Sequence, residues 1–594
     1  MVKIQWVNGK KMIRTRDPRQ ALLIDPWGDL GPKRRQLLEN SWAGLFRREI
    51  LSELPVEQLA LHFRADFGRP AKELHTVLGV LVLQQMHDLT DLETVNQLAF
   101  NAQWHYALDI PSESDAAKYM CPKTLWTMRK KVTDQELDTV MFQQVAHKLA
   151  RVFEVDTTKQ RLDSVHLKSN MRRLGRLGIL TRCINRFLVN LKRQHPELYA
   201  SLEPELVARY DTKKALACFS QVKPSASAKT LASVAQEGFD LLQRFAEQPQ
   251  ISGMLSYRLL HRAVNDHCEV KAAGVDAPAE ITVKPPREVS CQSLQNPSDP
   301  EAGYSGHKGQ GYQAQVMETY CDSEDPKVKA RTLNLITHVA VAPASLSDSR
   351  ALLPALTDTQ ARELGPQEVL ADTPYGSDDN CQKAAALGVE VVAPLPGLPP
   401  APGLSLTDFQ VSPEGRVLAC PEGEAPLFSK YRKHRYRVAF SSARCQACPQ
   451  GPHCPVQPGK HYHYLRYAEK AGRVAARRAY QQTSEFRDRY RWRAGIEGAM
   501  SEYDRRTGVK RLRVRGLKAV RFCVTLKAVG VNLFRATAVR RARSRAGDTG
   551  PGSPSRFSWL CSRVKEQIIS LGTVIFGFLI PDTYYGPVEL KMAA

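Results

Sequence analysis

No stretch of this 594-residue chain reaches the run of about 18 apolar residues that a membrane-spanning helix needs. The nearest, Ile568 to Ile580, is interrupted by Ser570, Gly572, Thr573 and Gly577, so a membrane protein is not expected. Glycine-rich phosphate loops of the Walker or Rossmann type are also missing, which argues against nucleotide hydrolysis. No charged-then-apolar leader opens Met1-Val2-Lys3-Ile4-Gln5, and no segment repeats. The 13 cysteines are odd in number, and those from Cys121 to Cys381 are widely scattered. A disulfide framework is therefore excluded, and a reducing cytoplasm is the expected compartment. Acid is absent where base is densest: from Arg505 to Gly547 there are 14 Lys and Arg residues and not one Asp or Glu.

What is present is a globular composition, 43% hydrophobic and 24% charged, with 84 Lys+Arg against 61 Asp+Glu and a formal charge of +23. At this size such an excess points to a polyanionic partner, nucleic acid or an anionic membrane surface, rather than a small acidic substrate. The length allows roughly four domains at about 150 residues each.

From Trp42 to Lys131 apolar residues recur at helical spacing, as in Leu74, Val77, Leu78, Leu81 and Val82, with Thr90 and Ser112 as candidate caps. Such a domain serves packing, dimerisation or helix-turn-helix DNA reading, and no recognition helix stands out. Near residue 160 the period changes: Arg161 to Leu167 alternates polar and apolar as a half-buried strand does, with Asp163 on its polar face. Residues 172–275 return to helical spacing. Strand patterns resume at 311–319, 335–341, 368–372 and 389–392, with helices expected near 347–364 and 378–386. Alternation of this kind predicts a mixed α/β sheet covered by helices. After the break at Pro394 to Pro400 comes a loop-rich segment to about 462, then a long polar helix over 464–506 and an amphipathic one over 516–538.

Asp163, Asp372 and Glu497 stand on separate predicted elements, and carboxylates brought together from such elements can hold Mg2+, a hard cation that prefers oxygen ligands. A lone Asp at a strand end is also a common turn former or cap. Tyr490, Arg493 and Glu497 fall at i, i+3 and i+7, on one helix face, where an arginine and a phenol can bind phosphate beside a carboxylate. The plainer alternative is an i, i+4 surface pair worth a few tenths of a kcal/mol. Cys420, Cys445, Cys448 and Cys454 supply four soft ligands suited to structural Zn2+, with His453 able to replace one; four free thiols remain the alternative. Lys430 to Arg437 interleaves bases with aromatics, as a phosphate-binding surface or a merely solvated face would. The run from Arg505 to Arg545, including Arg505, Arg506, Lys510, Arg511, Arg513 and Arg515, reads as a DNA-backbone surface. His166 reads as structural.

Five blocks carry a resemblance: GRPAKELHTVLGVLVLQQMHDLTDLETVNQLAFN (Gly68 to Asn101), LDSVHLKSNMR (Leu162 to Arg172), GYQAQVMET (Gly311 to Thr319), VLADTPYGS (Val369 to Ser377) and YRWRAGIEGAMSEYDRRTGVKRLRVRGL (Tyr490 to Leu517). In this order they resemble bacterial insertion-sequence DDE transposases, nearest the eleven-eighty-two-like group, over roughly residues 40–538. The resemblance implies an α/β fold with a ribonuclease H-like catalytic core, a helical N-terminal domain, a helical insertion, and a cysteine-containing insertion before the last catalytic helix. It implies that Asp163, Asp372 and Glu497 bind Mg2+ or Mn2+ and that Tyr490 and Arg493 belong to a Tyr-x2-Arg-x3-Glu-x6-Lys signature. The last position departs from that signature, since Asp504 stands where it has lysine.

The organisation that follows is an N-terminal arm (1–40), a helical DNA-binding or dimerisation domain (41–150), and a catalytic core (151–395) with its helical insertion near 172–275. A cysteine-rich insertion (396–463), the catalytic Glu helix with basic helices (464–541), and a linker and tail (542–594) complete it. The expected activity is metal-dependent cleavage at transposon ends and strand transfer into target DNA, by a homodimer acting on double-stranded DNA at the bacterial nucleoid. The rivals are a metal-dependent nuclease that cuts without integrating and an inactive DNA-binding protein.

Overall fold

The computed structural model describes residues 13, 15, 17–19, 25–64, 71–271, 280–397 and 403–547. The tail segment Ile568 to Ile580 lies outside the described residues, as do the first 12 residues of the expected N-terminal arm and the start of the Gly68 block. The chain is mixed α/β, with many helices around a mixed central sheet.

The sheet forms where period-two alternation runs through β-branched and aromatic residues. Its strands are β1 (Lys159–Lys168), β2 (Gly309–Thr319), β3 (Ile336–Pro343), β4 (Glu368–Ala371) and β5 (Glu390–Val392). Across the sheet they lie in the order β3-β2-β1-β4-β5, and the short strand Gly303–Ser305 adds to the start of β2. β1 pairs antiparallel with β2 and parallel with β4; β2 pairs antiparallel with β3, and β4 parallel with β5. Leu162, Val369 and Ala371 bury one face of the strands against Leu352, Ala355 and Leu356 of the helix Leu352–Ala361.

The N-terminal helices and the last described helix share one core. Helix α1 (Leu74–Met86) is buried at every position, so it has no polar face to show water. Later in the chain come α2 (Gly495–Thr507) and α3 (Leu517–Arg545). α3 crosses α1 closely: a Cβ on Gly530 would lie 2.9 Å from the Met86 backbone. By length and composition α3 could cross a membrane, but its apolar window is 83% buried inside the protein. Thr90 caps Asp91–Phe100 in a full capping box. Ser112 caps no helix; Ser114 precedes the short helix Asp115–Lys118 instead.

Between β1 and β2 lies a helical segment with its own apolar core. Arg176–Gln194, Pro224–Phe245 and Leu255–His267 pack through Ile184, Phe187, Phe239, Leu242 and Leu260. A hairpin, Cys268–Lys271 with Glu280–Val283, follows. After β5 comes a second sheet built on β6 (Phe428–Arg432), β7 (Arg435–Ser441) and β8 (Tyr462–Ala468), with Gln457–Pro458 on its edge.

The single polar helix expected over 464–506 is not one element. Tyr464 to Ala468 is strand β8, followed by helices Glu469–Gln481 and Ser484–Tyr490, a 3-10 turn Arg491–Ala494, and then α2. Cross-strand pairing of Tyr464 to Tyr467 with Tyr436 to Ala439 overrides local helical spacing, and Thr483 starts a new helix by accepting from the Phe486 N–H.

Candidate active site

The strand register brings the two aspartates together. Leu162 lies opposite Ala371 in the parallel β1–β4 pair, so Asp163 and Asp372 follow at the same level on neighbouring strands. Asp372 also caps the 3-10 turn Thr373–Tyr375, its carboxylate accepting from the Thr373 N–H at 2.9 Å. Asp163 accepts from the Ser164 N–H at 2.7 Å.

Glu497 enters from α2, and Arg161 on β1 fixes where α2 starts. The Arg161 guanidinium donates to the Trp492 carbonyl at 2.9 Å and to buried Glu318 at 2.8 Å. It passes so close to α2 that a Cβ on Gly495 would stand 2.1 Å from Nη1. Two residues beyond that contact on each element come Asp163 and Glu497.

Arg493 joins all three acids. Its guanidinium lies 2.8 Å from Asp163, 3.1 Å from Glu497 and 3.4 Å from Asp372. Asp163 and Arg493 are mostly buried, whereas the Asp372 and Glu497 side chains are 44% and 71% exposed. Burial pushes the Asp163 carboxyl above its ordinary range, partly offset by the Ser164 N–H and the Arg493 charge. Burial alone would lower Arg493; the charges of Asp163 and Asp372 outweigh it and hold the guanidinium up. Tyr490 stacks on Phe486 at 5.3 Å, and burial raises its phenol. The 3-10 turn replaces the continuous helix face expected from spacing, yet Tyr490, Arg493 and Glu497 still face one cluster.

Three carboxylates against one guanidinium leave two negative charges uncompensated, and the buried Arg493 Nε has no hydrogen-bond partner. All the donor atoms are hard oxygens on partly exposed acids, which suits a divalent cation that keeps some of its waters. Among the described residues no three His, Cys, Asp or Glu side chains are drawn into a closed ligand set; at the acids, the guanidinium stands between them.

Behind the acids runs a polar layer that sequence spacing did not reveal. Ser164 donates to Asp348 at 3.0 Å, Gln315 donates to the other Asp348 oxygen at 2.7 Å, and the Tyr375 hydroxyl donates to Gln315. This chain links the neighbour of Asp163 to the turn that Asp372 caps. The one signal available was position: Ser164 follows Asp163 directly, and Tyr375 closes the Asp372 turn. His166 lies on β1, and burial lowers its pKa.

The basic run divides. Arg505, Arg506, Lys510, Arg511, Arg513 and Arg515 are all exposed, on the end of α2 and the connection to α3. Arg506 pairs with Glu502, Arg513 with Asp88, and Arg515 donates to the Asn170 carbonyl, whereas Arg505, Lys510 and Arg511 have no ion pair among the described residues. Beyond Gly516 the expectation of one continuous DNA surface fails, because α3 is a core helix. Lys527 is 1% exposed and pairs with Asp88, Arg535 bridges Glu318 and Glu502, and Arg521 holds buried Asp138.

Cys420, Cys445, Cys448 and Cys454 line one cavity of about 280 Å3 together with His463. His453 is exposed and does not line it. Burial, and then the neighbouring thiols, raise the pKa of Cys445 and of Cys454. No disulfide joins any of these cysteines.

Residues 419–537 match the family described as Transposase DDE domain, and residues 37–131 match that described as Transposase domain (DUF772). The first match contains Tyr490, Arg493, Glu497, the four cavity cysteines and the bases from Arg505 to Arg515; Asp163 and Asp372 lie N-terminal to it. No curated protein and no solved structure matches the chain.

Proposed function

We propose that this chain, a DDE transposase of the bacterial insertion-sequence type that cleaves and transfers DNA strands, works through Asp163, Asp372 and Glu497. The observation that carries the assignment is the convergence of all three carboxylates on the Arg493 guanidinium. The strand order β3-β2-β1-β4-β5, with the first three antiparallel and the last two parallel, supports reading the core as ribonuclease H-like. Membership of the eleven-eighty-two-like group rests on the five sequence blocks alone.

Bound between the acids, divalent metal (Mg2+ or Mn2+) would activate an attacking water or 3′-hydroxyl and stabilise the leaving oxygen. The chain's own contribution is positioning. Register holds the two aspartates level, Arg161 sets the start of the Glu497 helix, and the Ser164–Asp348–Gln315–Tyr375 layer ties the aspartate segments together. Tyr490 and Arg493 are assigned to a phosphate of the transposon end; Arg505, Arg506, Lys510, Arg511, Arg513 and Arg515 to its backbone. The cysteine cavity is assigned to structural Zn2+, four thiols lining one cavity being the ligand type that zinc takes. The helical N-terminal unit is assigned to DNA binding or dimerisation, and two ends brought together imply a homodimer acting on double-stranded DNA at the nucleoid.

Asp163→Asn, Asp372→Asn or Glu497→Gln each abolishes metal-dependent cleavage and leaves salt-sensitive DNA binding in place. Gel assays on the element's end sequences check this, and cleavage surviving in all three variants overturns it. Supplying a pre-cut 3′-hydroxyl end and looking for its joining to target DNA tests strand transfer itself; cutting without joining would leave a nuclease.

A further inference from the structure

The second sheet turns two unlike faces outward and inward. Val438, Phe440, Leu465 and Tyr467 point into its small core. Residues of the opposite parity are basic: Lys430 and Arg432 on β6, Arg435 and Arg437 on β7, and Arg466 on β8, all exposed. Lys430 lies opposite Arg437, which lies opposite Arg466, and Arg432 lies opposite Arg435.

Like charges directly opposite one another destabilise a sheet, so three bases on one rung and two on the next act against folding. None of the five forms an ion pair among the described residues. The nearby carboxylate of Glu469 is committed elsewhere, accepting from the Tyr431 hydroxyl and pairing with His434 and Arg473. Of the aromatics on the basic face, Phe428 lies under Lys430 at 5.4 Å, Tyr464 lies under Arg437 at 4.0 Å, and Tyr462 packs edge-on against both rings. The face therefore offers chiefly charge and guanidinium edges, its rings being packed on one another and under its cations. Rungs repeat along a strand about every 7 Å, which is about two phosphates of one DNA strand.

The sheet is fastened to the catalytic core. β8 runs into Glu469–Gln481, where Arg473 pairs with buried Asp378 at 2.8 Å and Lys470 with Asp379 at 2.9 Å. Arg477 of the same helix donates to the carbonyls of Gly376 and Ala393. These anchors hold the segment that immediately follows Asp372.

We propose that the exposed face of β6, β7 and β8 binds the phosphate backbone of double-stranded DNA, as a surface separate from Arg505–Arg515. The proposal rests on the reading of the chain as a DNA-acting enzyme and adds a binding site to it.

The test is duplex binding by Lys430→Gln/Arg437→Gln/Arg466→Gln, read by fluorescence anisotropy with a 40-base-pair duplex of arbitrary sequence between 50 and 300 mM NaCl. About 0.9 units of the slope of log affinity against log salt is lost per phosphate contact, so the slope falls by about 2 to 3. The thermal midpoint stays level or rises, because opposed charges have been removed. Arg432→Gln/Arg435→Gln, which leaves the middle rung alone, lowers the slope by about 2 and serves if the triple variant fails to fold. A folded variant with the wild-type slope overturns the proposal. So does a loss confined to vesicles containing 30% phosphatidylserine or to single-stranded RNA. The same measurement on Asp163→Asn protein must give the wild-type slope, so failure of the catalytic assignment leaves this result standing. Absence of salt-sensitive duplex binding by the wild-type chain would sink both.

Discussion

Two stretches that are rich in base and free of acid, Arg505–Arg515 and Lys518–Arg545, sit on either side of Gly516. The first stays on the surface, where Arg505, Lys510 and Arg511 have no ion pair among the described residues. The second folds into the centre of the molecule, where Arg521, Lys527 and Arg535 meet Asp138, Asp88, Glu318 and Glu502 from segments far away in sequence. Charge counted along a chain thus reports neither exposure nor partner. The first stretch fits a polyanionic ligand, while the second neutralises acids of the central sheet, α2 and the N-terminal helices.

The largest expected effect lies in the inner stretch. Arg535→Met leaves Glu318, 0% exposed, with Arg161 alone, and Glu502 with Arg506. Breaking a buried pair of this kind costs about 3 kcal/mol, read by denaturant unfolding, with the salt dependence of DNA binding unchanged. A loss below about 1 kcal/mol would blur the contrast between the two stretches.

A second effect of similar size depends on pH. His87 packs against Phe534 of α3 at 6.0 Å and Trp42 at 5.1 Å, and burial lowers its pKa from 6.5 to about 4. A depressed folded-state value means that its contribution is present in full above pH 6.5 and is lost as pH falls toward 4. The loss amounts to about 3 kcal/mol at most. Unfolding curves between pH 7 and 4 should show the wild-type chain losing stability faster than His87→Gln; parallel curves would remove the effect.

The smallest effect on stability belongs to the outer stretch. Arg505→Gln/Lys510→Gln/Arg511→Gln changes stability by less than about 0.5 kcal/mol. The slope of log affinity against log salt for duplex DNA nevertheless falls by about 2 to 3. An unchanged slope would make this stretch a solvated surface only.

Periodicity carried much of the architecture. Alternation over 161–167 and 311–319 located β1 and β2, and Thr90, read as a candidate cap, does cap a helix. The break within 464–506 was not legible, because nothing local in Tyr464-Leu465-Arg466-Tyr467 outweighs helical spacing; its strand state comes from pairing with β7. α3 read as amphipathic, with bases for a wet face, because the acids that receive those bases lie on other elements, Asp88, Asp138 and Glu318 hundreds of residues away. At the site, the acids and Arg493 could be picked from spacing and resemblance, and the structure brings those four side chains to one place. Asp348 and Gln315 could not, since an Asp before a helix and a Gln in a strand are ordinary residues until Ser164 and Tyr375 reach them.

Metal-directed cleavage of the protein tests the central claim most directly. Fe2+ occupies hard oxygen sites in place of Mg2+, and with ascorbate and peroxide it cuts the peptide chain beside the bound ion. Fragments ending near residues 163, 372 and 497, suppressed by excess Mg2+ and absent from Asp163→Asn protein, are the predicted result. Cuts confined to other segments, or cuts at these three positions that survive the Asp163→Asn change, would contradict it.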